Sequence, residues 1–358
     1  MMRGAIDRFF GRGDAAVTVP PMDGALRPNQ RLEEAHTALE ARVPDNLVLH
    51  GGEVLFSSGR DLRKLETGTV VRSFDRPIAC VAAAADGRLA VGLTGAEVVI
   101  VEPHGAVVPL PAAQTSCATA LCFVDDTLIV CRGSARHAAD QWKRDLMETG
   151  AGGDGTGSVV LFPRGGVPRL LAEQLRWPFG VLPIDGRIVV SESWAHRLVL
   201  LDPSGASPPE PVLVDLPGYP ARLAAASDGG AWLAVFAPRS QLIEFVLRED
   251  GYRRRMLSEI DPDYWIAPAL ANGRSYLEPI QGGALKQMGV LKPWAPSRTY
   301  GLIIKLDDNF EPILSLHSRA DGTRHGTTSM LEHSQTLFVA SKGGDVVLSI
   351  PTDELIEQ

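Results

Sequence analysis

The sequence has no long apolar run and few cysteines. No stretch of 18 apolar residues occurs in the 358-residue chain, which argues against a membrane-spanning helix. The four cysteines (Cys80, Cys117, Cys122 and Cys131) form no Cys-x-x-Cys pair. Neither a disulfide framework nor a zinc site is therefore indicated, and we expect buried free thiols. Because charges are scattered through residues 1–24, we expect no secretory signal and a cytoplasmic location.

An excess of positive charge is also missing. The formal net charge is −8 and the pI is about 5.5, which argues against nucleic acid or an anionic membrane as a partner. The sequence contains no serine nucleophile elbow, no phosphate-binding loop and no His-x-x-x-His metal pair. A small molecule is the partner that we expect.

One short pattern occurs six times: a Gly-, Asp- or polar-rich turn followed at once by an apolar strand. The copies span residues 50–56, 86–91, 125–130, 185–190, 228–233 and 334–339. Asp-Gly between apolar runs indicates a β-hairpin, because both residues tolerate a positive φ. Units of roughly 40 to 50 residues with several strands each are typical of a β-propeller. The sequence predicts an all-β fold with six blades.

The two ends of the chain are expected to close the ring. We assign residues 1–44 to an N-terminal arm and residues 45–358 to the propeller. The last repeat has room for three strands only, so a strand from the arm, around residues 15–19, is expected to complete the sixth blade. Such closure removes an exposed sheet edge.

Two long insertions interrupt the repeats, at about residues 133–157 in blade 3 and 238–299 in blade 5. Both fall between the second and third strands, so both are expected on the same face, called here the top. Their sequences predict mostly helical structure. Loops of this length are usually functional covers or disordered, and the aromatic content of these favours a lid over the channel.

Several segments resemble the strictosidine synthase-like group of six-bladed propellers, which is related to the paraoxonase and gluconolactonase families. The resemblance rests on Leu216-Pro217-Gly218-Tyr219-Pro220, on Val189-Val190-Ser191-Glu192, on residues 300–307 and on residues 328–341. It extends in order over roughly residues 40 to 350. It implies a six-bladed propeller, and it leaves the activity open because the group mixes hydrolases with a condensing enzyme.

Counting back from each turn gives one residue of each blade at the top of the channel: Asp45, Cys80, Thr119, Phe179, Arg222 and Thr328. In hydrolytic relatives, the resemblance implies acidic and carboxamide ligands for Ca²⁺ in this ring. Here Phe179 replaces a carboxamide and Arg222 replaces part of an Asp-Asn pair. A guanidinium and an aromatic ring are unsuited to a cation site, so we expect no metal and no other cofactor.

Three residues are the candidate catalytic groups: His325 or Asp45 as general base, and Arg222 as anion clamp. The glutamate that the resemblance implies for strictosidine formation is absent, because residues 324–331 contain no carboxylate. His325 could instead be a loop histidine bonded to water or backbone. Asp45 and Arg222 could pair across the channel without any catalytic role.

The candidate substrate-binding residues come from the ring, the blade-4 loop and the blade-5 insertion. They are Phe179, Glu192, His196, Trp265, Trp294, Tyr300, Thr119 and Thr328. The aromatic members suit a pocket for a mostly apolar ligand, or they simply pack the insertion. Glu192 could pair with Arg222, or it could hold neighbouring loops by hydrogen bonds.

These features predict a metal-independent enzyme that acts on a small, partly apolar organic molecule. Ester or lactone hydrolysis, or a related addition or elimination, would fit a general base and an anion clamp. One alternative is a non-catalytic binding or assembly propeller that has lost the calcium site. A second alternative is a calcium-dependent hydrolase of the lactonase type.

Overall fold

The computed structural model describes residues 19–279 and 298–355, and the backbone of residues 286–287 and 290–291. In this part of the chain, six four-stranded antiparallel sheets form a six-bladed β-propeller. The fold class predicted from the six turns is confirmed.

Each of the first three blades is built from four consecutive strands. Blade 1 comprises Pro44–His50, Glu53–Ser58, Asp61–Lys64 and Val70–Ser73. Blade 2 comprises Ile78–Ala83, Leu89–Leu93, Val98–Val101 and Val107–Pro109. Blade 3 comprises Ala118–Val124, Thr127–Arg132, Gly157–Pro163 and Arg169–Leu175.

Blades 4 and 5 also take their strands in chain order, whereas blade 6 takes one strand from the opposite end of the chain. Blade 4 comprises Pro178–Ile184, Arg187–Glu192, Arg197–Leu201 and Glu210–Leu213. Blade 5 comprises Gly218–Ala225, Ala231–Pro238, Leu302–Leu306 and Pro312–His317. Blade 6 comprises Thr327–His333, Thr336–Ser341, Val346–Pro351 and, as its outer strand, His36–Glu40.

The repeated turns have the backbone conformation that their residues suggested. Asp125 and Asp185 lie in the left-handed region, with φ of 48° and 49°, and Gly87 has φ of 88°. Glycine and aspartate adopt these angles at low cost, which is why they mark the hairpins. Each such turn joins the first and second strands of its blade.

The arm closes the ring, but with a later segment than the sequence suggested. The strand His36–Glu40 pairs antiparallel with Val346–Pro351 and takes the outer position of blade 6. The prediction that residues 15–19 fill this position is therefore wrong. Residues 15–18 themselves lie outside the described part of the chain. Leu32 is fully buried in the core, and Asn29 donates from Nδ2 to the Ser315 carbonyl oxygen at 2.8 Å.

The longest helices in the described part of the chain lie in the insertions of blades 3 and 5. The blade-3 insertion contains a 3-10 turn at Ala139–Gln141 and a helix at Trp142–Thr149. The blade-5 insertion contains helices at Gln241–Arg248 and Asp250–Glu259, a 3-10 turn at Pro262–Tyr264, and the short strands Lys286–Gln287 and Val290–Leu291. Shorter helical turns occur at Gly24–Leu26, Arg31–Glu34, Ala112–Thr115, Ser193–Ala195 and Asp353–Leu355.

The core consists of apolar layers between neighbouring blades. Val130 of blade 3 and Cys80 of blade 2 pack in one such layer, and Val189 of blade 4 packs with Leu233 of blade 5 in another. Burial of these alternating side chains is the main stabilising contribution to the ring. In the described residues no helix is long and apolar enough to cross a membrane.

Candidate functional site

The first strand of every blade is irregular where it reaches the channel. One residue is skipped in the pairing of blades 2, 3, 4 and 6, namely Ala79, Thr119, Phe179 and Thr328. In blades 1 and 5 two consecutive residues are skipped, residues 46–47 and residues 221–222. A β-bulge leaves its extra residue unpaired and redirects it. The six bulges therefore surround the channel with free backbone and side-chain groups.

The guanidinium of Arg222 lies among oxygen atoms of four other blades. Its Nη1 donates to Asp45 Oδ1 at 2.7 Å and to the Thr328 carbonyl oxygen at 3.4 Å. Its Nη2 donates to the carbonyl oxygens of Ala79 at 2.7 Å and Thr119 at 3.2 Å. Carbonyls on the unpaired edge of each first strand are free to accept these bonds, and the bulges redirect the backbone at the same positions.

The remaining blade contacts the same group through an aromatic ring. The guanidinium carbon of Arg222 lies 5.0 Å from the centre of the Phe179 ring, within the range of a cation–π interaction. Arg222 thus contacts the first strand of every other blade. We call this set (Asp45, Ala79, Thr119, Phe179, Arg222 and Thr328) the central ring.

Asp45 is the anion of the central ring, and both of its carboxylate oxygens are occupied. Besides the Arg222 bond, Oδ1 accepts from Thr328 Oγ1 at 2.8 Å, and Oδ2 accepts from Lys342 Nζ at 2.9 Å. Burial by itself would raise the pKa of Asp45, but the charges of Arg222 and Lys342 outweigh burial and hold the pKa below its ordinary value. Asp45 is therefore ionised, only 2% exposed and a weak base.

A cavity of about 270 Å³, the inner chamber, lies at the central ring, between it and the blade-3 insertion. Its walls are mostly apolar. Aromatic side chains line it from three places: Trp142 of the blade-3 helix, Trp177 and Trp194 of blade 4, and Phe236 of blade 5, beside Phe179 of the ring. Such a lining suits a flat, apolar molecule.

The aromatic walls are held by contacts with one another. Trp177 and Trp194 stack with ring centres 5.2 Å apart, and Trp142 meets Phe236 edge to face at 5.4 Å. Trp194 Nε1 also donates to Asp145 Oδ1 of the blade-3 helix at 2.9 Å. These geometries favour a preformed wall. The residues come from blade 4, blade 5 and the blade-3 insertion, so spacing in the sequence did not indicate them.

Lys342 is a charged residue of this site that the sequence did not indicate. It follows the second strand of blade 6 and donates to Asp45, and its side chain remains 30% exposed and lines the inner chamber. An ammonium has three donor hydrogens, so it can bind Asp45 and a ligand together. The signal available in the sequence was its place directly after Ser341, the last residue of a second strand, on the top face.

The central ring separates the inner chamber from a second cavity of about 260 Å³, the lower chamber, which Arg222 also borders. The lower chamber is lined mainly by side chains and backbone of the first strands, including Val81, Leu121 and Leu223. The guanidinium therefore lies between the two halves of the channel.

Five of the predicted site residues meet at this site. Asp45, Arg222, Thr119, Phe179 and Thr328 all line the inner chamber. In blade 2 the ring residue is Ala79 and not Cys80, because the bulge shifts the register by one. Cys80 is fully buried between blades, and burial raises the pKa of its thiol to about 12.

His325 lies away from the described lining of the inner chamber. Its Nδ1 lies 2.6 Å from Thr299 Oγ1 and its Nε2 lies 2.7 Å from the Arg319 carbonyl oxygen, so both ring nitrogens are engaged. Burial lowers the pKa of His325. The imidazole thus matches the loop histidine that was the alternative interpretation.

Glu192 pairs with Arg197 and not with Arg222. Its Oε1 accepts from the Arg176 backbone N–H at 2.7 Å and its Oε2 accepts from Arg197 Nε at 2.5 Å. The carboxylate is completely buried. Glu192, the last residue of the second strand of blade 4, thus holds Arg176, which precedes the first strand, and Arg197, which begins the third strand. This matches the alternative in which Glu192 holds neighbouring loops by hydrogen bonds.

His196 belongs to a buried polar cluster under the blade-5 helix. Its Nδ1 lies 3.0 Å from the Gly218 carbonyl oxygen, and its Nε2 lies 3.5 Å from Glu244 Oε1. Tyr219 donates to the same oxygen at 3.2 Å. Burial lowers the pKa of His196, so its neutral form is favoured. This cluster fixes the helix Gln241–Arg248 to blade 5.

Two of the other predicted aromatic residues, Trp265 and Tyr300, lie outside the lining of the inner chamber. Trp265 is fully buried and donates from Nε1 to the Ile260 carbonyl oxygen at 2.9 Å. The hydroxyl of Tyr300 lies 3.1 Å from His317 Nδ1, and burial raises the pKa of Tyr300 to about 12. Trp294 lies outside the described residues.

The central ring does not fit a calcium ion. Both oxygens of Asp45 and the carbonyl oxygens of Ala79, Thr119 and Thr328 are engaged by the cations Arg222 and Lys342. Calcium needs six to eight oxygen ligands. Among the described residues, no group of three or more His, Cys, Asp or Glu side chains is arranged to hold a metal.

Comparisons with known proteins support the fold. No protein-family model matches the sequence. A search of curated proteins also finds no match. Among solved structures, one assigned as a gluconolactonase superposes with a TM-score of 0.54 at 12% identity, covering 88% of this chain and 91% of that protein.

Two further structures have similar scores. A luciferin-regenerating enzyme superposes with a TM-score of 0.51 at 13% identity, covering 87% of this chain and 92% of that one. A calcium-binding protein, regucalcin, from Agrobacterium tumefaciens superposes with a TM-score of 0.51 at 10% identity, covering 93% and 95%. At these identities the likeness is one of fold, and the six-bladed propeller is what this chain shares with them.

Proposed function

We propose that this chain binds a small, partly apolar organic molecule in the inner chamber, without a metal ion. The observation that carries the proposal is the combination of aromatic walls with a floor that Arg222 closes. A concave, mostly apolar cavity with a few convergent polar groups is the usual form of a small-molecule site. The kinship with the strictosidine synthase-like group remains part of this proposal.

The position of the guanidinium supports the metal-free part of the proposal. Arg222 supplies a fixed positive charge to the oxygen atoms that surround it, which is the role that a bound cation would have there. Regucalcin is described as calcium-binding, whereas here a side-chain cation is bonded to the central oxygens. Asp45 and Arg222 then act as a structural ion pair and not as reacting groups.

Lys342 is the polar group that would orient the ligand. Its partly exposed ammonium lies on Asp45 and lines the inner chamber. A carbonyl or carboxylate oxygen of a ligand would accept a charge-assisted hydrogen bond from it. The flat part of the ligand would then lie against Trp142, Trp194 and Phe236.

The neutral fluorophore N-phenyl-1-naphthylamine tests the apolar site. We expect it to bind the full chain with enhanced fluorescence, and Trp142→Ala to weaken binding about tenfold because one aromatic wall is lost. Tyr252→Ala is the matched control, since Tyr252 is half-exposed on the helix Asp250–Glu259. Equal weakening in both variants would contradict the assignment.

Chelation tests the metal-free part separately. Dialysis against EDTA is expected to leave both the dissociation constant of the fluorophore and the unfolding temperature unchanged. A chelator-dependent loss that calcium restores would support the calcium-dependent alternative instead.

Removing the central cation should destabilise the fold. We expect Arg222→Met to lower the free energy of unfolding by about 3–5 kcal/mol, because Asp45 is left as a buried anion with fewer partners. The measurement is urea unfolding at pH 7. Arg164→Met, which removes an arginine whose side chain is 54% exposed, is the control and should change stability by about 0.5 kcal/mol or less. If Arg222→Met were as stable as the wild type, the structural role of Arg222 would be refuted.

The depressed pKa of Asp45 predicts a pH dependence. The stabilisation due to its ion pairs should be fully present above the unfolded-state pKa of about 3.9 and should be lost as the pH falls through the lower folded-state pKa. The stability difference between wild type and Asp45→Asn should therefore be constant from about pH 7 to 5 and shrink below about pH 4. Urea titrations at several pH values measure it, and a constant difference down to the lowest pH would contradict the assignment.

Hydrolysis of an ester or lactone is a second candidate function, favoured by Asp140. This residue of the 3-10 turn Ala139–Gln141 lines the inner chamber together with Lys342. In the part of the chain that the structure describes, no hydrogen bond or ion pair engages its carboxylate. A carboxylate base and an ammonium at one cavity could activate water and polarise a carbonyl.

Turnover of 4-nitrophenyl acetate tests this second candidate. If Asp140 is the base, Asp140→Asn should lower kcat/KM about a hundredfold without changing the unfolding temperature. His325→Gln should retain turnover, since His325 lies outside the described chamber lining. Hydrolysis no faster than the uncatalysed background would leave binding as the function.

A further inference from the structure

The inner chamber also borders a third, more polar cavity of about 440 Å³, the outer chamber. Trp142, Leu270 and Lys342 line both chambers, so the two adjoin along these side chains. The outer chamber lies between the blade-3 helix and the described parts of the blade-5 insertion. Its charged lining consists of Lys143, Arg274, Arg298, Lys342, Asp263 and Glu278.

The lining of the outer chamber has more basic than acidic side chains, although the chain as a whole carries a net charge of −8. Four of its charged side chains are basic and two are acidic. Three of the basic groups have a carboxylate partner: Glu278 for Arg298 at 3.8 Å, Asp345 for Arg274 at 3.9 Å and Asp45 for Lys342 at 2.9 Å. Lys143 is the remaining basic group of the lining.

Lys143 has no described carboxylate within ion-pair distance. Its Nζ donates to the Pro262 carbonyl oxygen at 3.2 Å, which leaves two of its hydrogens for another acceptor. Burial, and then the charge of Arg298, lower the pKa of Lys143. The Lys143 ammonium is thus a hydrogen-bond donor at this cavity that no described carboxylate contacts directly.

The inner chamber by itself offers no excess of positive charge, because Asp45 and Asp140 line it together with Arg222 and Lys342. The acidic group of a ligand is therefore expected at Lys143, in the outer chamber.

We propose that the two chambers together form one site for an amphipathic organic anion. Its flat apolar body lies among the tryptophans of the inner chamber. Its acidic group (a carboxylate, sulfonate or phosphate) lies in the outer chamber near Lys143, Arg298 and Lys342. This inference rests on the proposed function, since it assigns a ligand class to the same site.

Two fluorophores with one ring skeleton test the proposal: 1-anilinonaphthalene-8-sulfonate and neutral N-phenyl-1-naphthylamine. Both are titrated into the full chain. Lys143→Gln should weaken binding of the sulfonate about tenfold, because one charge-assisted hydrogen bond is lost. The neutral probe should bind equally well to the variant and to the wild type.

A matched variant controls for the change of net charge. Lys64→Gln removes the same charge from an exposed pair with Glu53 on blade 1 and should leave both probes unaffected. Added salt should weaken binding of the sulfonate more than binding of the neutral probe. Circular dichroism melting checks that each variant is folded.

The outcomes separate the two proposals. If Lys143→Gln affects both probes equally or neither, the anion site is wrong while binding in the inner chamber stands. If neither probe binds the wild type, both proposals fail. Displacement of the bound sulfonate by 1-naphthoate or 1-naphthyl phosphate supports the anion site and shows which acid is preferred, and failure of both to compete overturns it.

Discussion

The guanidinium of Arg222, bonded to Asp45 and to carbonyl oxygens of three further blades, is the interaction on which the centre of this propeller depends. A propeller brings together strand ends that are far apart in sequence, and their free polar groups need partners where water is scarce. One planar cation with five donors satisfies several of them at once. A buried ion pair adds little net stability over apolar packing, but its geometry fixes how the blades meet.

This constraint also decides where a ligand can lie. Arg222 stands between the inner and lower chambers, so a molecule entering from the top meets a charged floor and not an open channel. The insertions of blades 3 and 5 lie on the same face as this floor, and Trp142 comes from one of them. The binding that we propose is thereby limited to the space between the central ring and the insertions.

The overall fold was accessible from the sequence because its signals are local. Asp-Gly and related turns impose a positive φ within a few residues, and the apolar run after each turn is a strand by its own pattern. The same counting located Asp45, Thr119, Phe179, Arg222 and Thr328 at the channel. It placed Cys80 in the ring one residue too late, since a β-bulge that shifts register leaves no distinct mark in the sequence.

By itself, then, the sequence determined the six-bladed architecture, the sites of the two insertions and the placement of Arg222 and Phe179 at the channel. Only the tertiary structure decided the partners: Arg197 for Glu192, Glu244 for His196, and Lys342 for Asp45. It also decided that His36–Glu40 closes the ring and that Trp142, Trp177 and Trp194 share one cavity. The reason is physical: turns and strands follow from short-range backbone preferences, whereas these contacts join residues from different blades or loops, whose proximity depends on how the blades pack.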